Sequence, residues 1–339
     1  MEPHLILGIG ELLWDLLPAD NGTNGIPAKQ AAPNGSLGGA PANFTVMAGR
    51  LGSHAVILSR IGRDELGRRA VATLDPLPTD TEYLQVDPNH STGIATVKLR
   101  DGHAHYVFQD PAAWDFLELT DDWVRLAERA HAICFGSLAQ RALESRQTIQ
   151  TLAAQTSSLC IRVFDVNLRP PFYSSEVIQE SLELATVMKM NDAEVPLVLG
   201  LLGLPTSDRE DPAELRCGAE RLLAEFPTLN MVAITRGGHG SLLVTRLDAH
   251  EHPGVPTRVA DTIGAGDAFT AAMTNYLMRG ADLATINEAG NRWGSWMASQ
   301  VGAMPPLPAA IQTSMKSSIE ANPAAAGNPA GCGQSREIE

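Results

Sequence analysis

The feature that most constrains this chain is a series of short, strand-like apolar runs, several of them apolar throughout and not alternating, separated by helical patterns. The runs occupy residues 5–9, 55–61, 133–135, 161–166, 187–190, 232–235 and 242–244. A strand without polar positions is buried on both faces, as happens when helices cover both sides of a sheet. Helical patterns supply that cover at 121–130, 141–155, 175–186, 213–226, 268–279 and 283–299. Thr120 is placed to cap the first of these, and Asp121 and Asp122 fall in its positively polarised first turn. Strands alternating with helices predict an α/β domain on a mostly parallel sheet with helices on both faces.

Two segments break the alternation. Residues 92–108 are two strand-like runs joined by Asp101-Gly102, a pair suited to the positive φ angles of a tight hairpin turn. Residues 18–36 are irregular and rich in Gly and Pro. Together they predict a small β lid, formed from about 12–36 and 90–115, on a domain spanning 1–308. Beyond it, 309–339 turns to Pro, Ala, Gly, Ser and Asn and reads as a low-complexity, disordered tail.

Charge narrows the partners. With 39 acidic against 25 basic residues the net charge is −14, a field that repels nucleic acid and anionic membrane surfaces. The four cysteines form no C-x-x-C pair, no run approaches a membrane span, and the N-terminus lacks a basic leader. A cytoplasmic address is expected. His103 and His105, and likewise His250 and His252, alternate on strand faces without a third ligand nearby and read as solvated. Trp293 and Trp296 share a helix face and read as packing.

Two motifs carry chemistry. In 36–52, Gly38 and Gly39 let backbone N–H groups approach a ligand, and Asn43 adds a side chain with donors and an acceptor at a loop-to-helix junction. In DTIGAGDAFTAAM, 261–273, three small residues, Gly264, Ala265 and Gly266, precede Asp267 at the start of an apolar helix. Such a turn is an anion site, and the acid can take a hydroxyl proton as its oxygen attacks phosphorus. The helix terminus is expected to lower the pKa of Asp267. Competing readings fail on residues. GIGELL begins like a dinucleotide fingerprint, but Leu13 stands where its third glycine belongs, and no G-x-x-x-x-G-K-[ST] loop occurs. A non-catalytic sugar sensor is expected to lose the acid or the small residues, and both are intact.

GGAPANF and DTIGAGDAFTAAM, in this order, make the chain resemble the ribokinase-like (PfkB) carbohydrate kinases over roughly residues 4–308. GELLWDLLP and FDVNLRP resemble most the fructokinase branch, which phosphorylates the 6-hydroxyl of fructose using ATP and Mg²⁺. The resemblance implies Asp267 as catalytic base, with Gly264, Ala265 and Gly266 as its anion hole. It implies Asp15, Gly38, Gly39 and Asn43 as sugar contacts, Asn167 and Arg169 near sugar or phosphate, and Phe108 or Tyr106 covering the sugar. Asn191 and Glu194 would organise Mg²⁺ through its waters, Thr235, Gly237 and Gly240 would form the nucleotide-binding turn, and Asn291 would line the adenine pocket. Asp261 resembles the site where many members hold a monovalent cation such as K⁺. Fructose leads 2-keto-3-deoxygluconate and ribose as the acceptor, and a homodimer through the lid is expected.

Overall fold

The computed structural model describes residues 3–16, 35–100, 103–206 and 211–321, of which 97–100 and 103–106 are described by their backbone. The strands, in chain order, are β1 (Leu5–Ile9), β2 (Leu13–Leu16), β3 (Ser36–Gly38), β4 (His54–Leu58), β5 (Arg60–Gly62), β6 (Gln85–Asp87) and β7 (Gly93–Arg100). They continue with β8 (His103–Phe108), β9 (Ala132–Gly136), β10 (Ile161–Asp165), β11 (Val187–Asn191), β12 (Met231–Thr235), β13 (Ser241–Thr245) and β14 (Ala249–His252). The helices are α1 (Ala40–Arg50), α2 (Glu65–Leu74), α3 (Asp121–Arg129), α4 (Leu143–Gln155) and α5 (Ser175–Leu184). They are followed by α6 (Glu194–Leu201), α7 (Pro212–Glu225), α8 (Ala265–Met278), α9 (Leu283–Ala298) and α10 (Ala309–Ala321).

Eight strands form one sheet in the order β14-β13-β12-β11-β10-β9-β1-β4. From β4 to β12 every pairing is parallel; β13 and β14 are antiparallel additions. Side chains alternate across the sheet, and both faces are buried. Leu5, Leu7 and Ile9 join one core with apolar residues of α3 to α7, whereas Ile6 joins a second core with Phe44, Met47, Phe269 and Trp293 of α1, α8 and α9. This is why several of the strands read as continuously apolar. Thr120 Oγ1 accepts the Trp123 N–H at 3.3 Å and caps α3.

A separate sheet runs β3-β2-β7-β8. β7 and β8 form an antiparallel hairpin, and β2 pairs with β7 in parallel. Its own core holds Leu12, Trp14, Leu37, Ala42 and Val46. Of the expected lid, 17–34 and the turn 101–102 lie outside the described residues.

Two expectations are corrected. Residues 309–321, assigned above to a disordered tail, form α10. Ile311, Met315 and Ile319 recur every four residues amid Ala, Ser and Thr, a thin apolar stripe, and Ile319 is fully buried in the core shared by α8 and α9. The remainder, 322–339, lies outside the described residues. His250 and His252 are buried rather than solvated. Polar partners on α9 make that burial tolerable: His250 Nδ1 lies 3.1 Å from Asn287 Nδ2, and His252 Nε2 lies 2.7 Å from Glu288 Oε2. Among the described residues, no helix is long and apolar enough to cross a membrane.

Candidate active site

Parallel strands present their carboxyl ends on one edge, where ligands of open α/β sheets bind. Glu11 follows β1, Asn167 and Arg169 follow β10, Asn191 ends β11, and the turn 236–240 follows β12. The two sequence motifs meet at the same edge. Gly39 caps α1 with φ 113°, and a Cβ there would lie 2.3 Å from the Glu11 carbonyl oxygen, so only glycine fits. Glu11 Oε1 accepts the Ala40 N–H at 3.2 Å, tying this turn to β1. Gly38 faces the Asp15 carboxyl on β2; a Cβ there would stand 3.0 Å from Oδ2.

Gly264 caps α8 in the left-handed region, φ 77°, and Asp267 sits in the first turn. Asn43 Nδ2 donates to Asp267 Oδ2 at 2.7 Å, joining motifs 224 residues apart. Asn43 Oδ1 is buried without a partner, an acceptor available to a hydroxyl. Burial raises the Asp267 carboxyl to about 6, and the charge of Asp165 adds to the rise; the bond from Asn43 and the cations Lys189 and Arg169 oppose it. This corrects the expected sign: desolvation and a neighbouring carboxylate outweigh the helix terminus. A base near 6 is stronger than an ordinary aspartate and still mostly ionised at neutral pH.

Two further carboxyls face the same space. Burial raises Asp15 to about 6, opposed by Arg169 and reinforced by Asp261. Burial raises Glu11 to about 7, with Asp267 adding to the rise and Arg169 opposing it. The charge of Arg169 thus acts on Glu11, Asp15 and Asp267 alike. Asn167 holds φ 40°, the sole non-glycine positive φ among the described residues, on the loop that delivers Arg169. Phe108, at the end of β8, packs edge-on to Phe172 with ring centroids 6.0 Å apart. The Tyr106 side chain lies outside the described residues.

Asn191 and Glu194 bond reciprocally. Glu194 N–H donates to Asn191 Oδ1 at 2.9 Å, and Asn191 N–H donates to Glu194 Oε2 at 2.8 Å. Glu194 Oε1 accepts the Leu168 N–H at 2.7 Å, tying this turn to the loop bearing Arg169. With backbone donors on both carboxylate oxygens, and no group of three or more potential ligands among the described His, Cys, Asp and Glu residues, these two residues suit a hydrated Mg²⁺ touched through water rather than a direct protein cage.

In the turn after β12, Gly237 and Gly240 have φ 53° and 81°, and a Cβ on Gly240 would lie 2.0 Å from the His252 carbonyl oxygen. Thr235 ends β12 beside it. Asn291, on α9, is tied to the same strand end: its Nδ2 bonds Ser241 Oγ at 2.7 Å and the Asn287 carbonyl at 2.8 Å, inside a buried network, and Ser241 pairs with Thr235 at the end of β12. Asp261 Oδ1 accepts from Ile263 N–H at 3.0 Å and Oδ2 from Gly302 N–H at 3.1 Å, bracing the loop before α8. Sequence reasoning passed over Glu11, Asp165 and Lys189. Lys189 had a signal, a cation inside an apolar strand.

The model of the pfkB family of carbohydrate kinases matches residues 3–310. This chain belongs to that family. The carbohydrate kinase is 29% identical to fructokinase of Escherichia coli, over 88% of this chain and 95% of that one. Its structure is similar to that of a Vibrio cholerae fructokinase with bound fructose, ADP and calcium: TM-score 0.74 and 25% identity, over 92% of this chain and 98% of that one. A double mutant of that enzyme binds fructose, ADP and potassium. It also resembles an uncharacterized sugar kinase from Pyrococcus horikoshii in complex with ATP, with TM-score 0.72 and 28% identity, over 88% of this chain and 94% of that one. The kinase thus has a ribokinase-like α/β fold.

Proposed function

We propose that this carbohydrate kinase transfers the γ-phosphoryl group of ATP to a primary hydroxyl of a small sugar, with fructose as the acceptor, giving fructose 6-phosphate and ADP. The observation that carries the reading is the contact between Asn43 and Asp267, which joins the two sequence motifs and leaves Asn43 Oδ1 without a partner beside a carboxyl raised to about 6. The fructokinase relatives, one of them holding fructose and ADP, support the choice of sugar.

In this mechanism the sugar hydroxyl lies against Asp267, with Asp15, Gly38, Gly39 and Asn43 fixing the ring. Asp267 takes the hydroxyl proton as the oxygen attacks the γ-phosphorus. The bond from that phosphorus to the β-phosphate bridging oxygen breaks, ADP leaves with the electron pair, and the proton passes later from Asp267 to solvent. Backbone N–H groups of Gly264, Ala265 and Gly266 receive the transferring oxygens, and Arg169 adds positive charge. Mg²⁺, when bound, neutralises charge on the phosphates. Asn191 and Glu194 would hold it through its waters, the turn containing Thr235, Gly237 and Gly240 holds the nucleotide, and Asp261 would brace a K⁺ site. The sheet β3-β2-β7-β8 closes over the sugar and excludes water, and its edge strands pair with a second copy.

The test is ADP release against separate fructose, 2-keto-3-deoxygluconate, ribose and nucleoside acceptors, with and without K⁺. Turnover led by fructose is expected. Turnover led by another sugar overturns the acceptor and leaves the site, and silence on all acceptors from ATP-binding protein overturns the reaction.

A further inference from the structure

Beneath the first turn of α8 lies an ion pair that the reaction described above does not use. Lys189 projects from β11 and is 7% exposed; Asp165 ends β10 and is 4% exposed. Lys189 Nζ donates to Asp165 Oδ1 at 3.0 Å. The other carboxylate oxygen, Oδ2, accepts from Thr270 Oγ1 at 2.9 Å, one turn into α8, and the same hydroxyl lies 2.9 Å from the Gly266 carbonyl oxygen. A Cβ on Gly266 would stand 3.0 Å from Lys189 Nζ. The ammonium therefore lies directly under the anion-hole backbone, close enough that a side chain on Gly266 would crowd it.

Burying two charges is expensive, and an ion pair in a core often stabilises no more than an apolar pair of equal volume. Stability alone is thus a weak reason for a lysine inside an apolar strand. Position is a better one. An ammonium has three N–H donors, and Asp165 takes one. The neighbours facing the pair are acidic: Glu194 from α6 and Asp267 from α8 both act on Lys189. Arg169 is the other cation acting on Asp267. The pair lies as a fixed dipole, its carboxylate anchored to α8 through Thr270 and its ammonium against the backbone that meets the transferring phosphoryl group.

We propose that Lys189, oriented by Asp165 and Thr270, is a positioning residue that holds the first turn of α8 and supplies the anion hole with positive charge as phosphoryl transfer proceeds. Charge fixed in advance where negative charge develops lowers the barrier without reorganisation. Its effect falls on turnover, because fructose and ATP in their ground states are held mainly by other groups. This inference rests on the sugar-kinase reading above, so its test carries Asp267→Asn as a parallel reference.

The measurement is kcat and KM with fructose and Mg-ATP, or with whichever sugar leads the panel, together with calorimetric binding of a non-hydrolysable ATP analogue. The variants are Lys189→Met, Lys189→Arg and the doubly neutral Lys189→Met/Asp165→Asn. Lys189→Met is expected to lower kcat roughly 100-fold, with KM and nucleotide affinity within about threefold. Lys189→Arg, which keeps the charge, is expected to recover about a tenth or more of wild-type kcat. The double variant leaves no charge unpaired and is expected to stay as slow as Lys189→Met. If Lys189→Met does not fold, the double variant decides on the same number. Double-variant turnover near wild type, or a rise in KM with kcat unchanged, overturns the proposal. Wild-type turnover in Asp267→Asn overturns the underlying reaction instead.

Discussion

Replacing Asn43 with Leu, close to it in size, is expected to shift the acid limb of the kinase's pH profile upward. The only described hydrogen bond to the Asp267 side chain is the 2.7 Å bond from Asn43, and it stabilises the ionised form. A hydrogen bond to a charged group contributes roughly 1.5–3 kcal/mol. At about 1.4 kcal/mol per pH unit, losing it raises the carboxyl by roughly 1–2 units. Starting from about 6, the variant titrates near 7–8. The base works ionised, so at pH 7 its active fraction falls from about nine-tenths to between one-half and one-tenth. The assay is kcat/KM for the sugar from pH 5 to 9.5, by coupled ADP release. The variant should recover part of its lost activity in alkaline buffer. Coincident acid limbs, or a wild-type limb below pH 5, would refute the assignment of Asp267 and of Asn43 as its partner.

Glu11 offers a test through stability. Its folded carboxyl, at about 7, lies above the ordinary 4.5, so the unfolded chain loses the proton first and stability is lost as pH rises from about 4.5 through 7. Glu11→Gln removes that loss. Its melting temperature should rise relative to wild type between pH 5 and pH 8, by the equivalent of up to ~3 kcal/mol, and a difference constant with pH would refute the burial argument. Ile319→Ala, which empties a fully buried site on α10, should cost about 2–4 kcal/mol and several degrees of melting temperature. An unchanged calorimetric transition would return 309–321 to a disordered tail.

The parallel sheet was legible because the strands of the main sheet are largely apolar on both faces, a pattern that few other arrangements tolerate. α6 was not, because EVPLVLGL is apolar without a period and contains Pro196 and Gly200. α10 hid its three apolar side chains among small residues. The site was legible where it is local, as in Gly264 to Asp267. It was illegible where partners come from elsewhere in the chain. The burial of His252 depends on Glu288, 36 residues away, and the raised carboxyl of Asp267 depends on its burial and then on the charge of Asp165, neither of which a reading of one helix terminus supplies. Glu11 passed inside GIGELL, which was weighed only as the start of a dinucleotide fingerprint. Lys189 went unremarked because the run 187–190 was read as apolar, and the exception in that run lies against the first turn of α8.

The most direct test of the central claim, that Asp267 is the base of a sugar kinase, is turnover by Asp267→Asn under saturating sugar, ATP and Mg²⁺, with nucleotide binding measured on the same protein. General-base catalysis contributes roughly 10²–10⁴-fold. A loss of kcat in that range, with nucleotide affinity within a few-fold of wild type, is the predicted result; turnover within about threefold of wild type would contradict it.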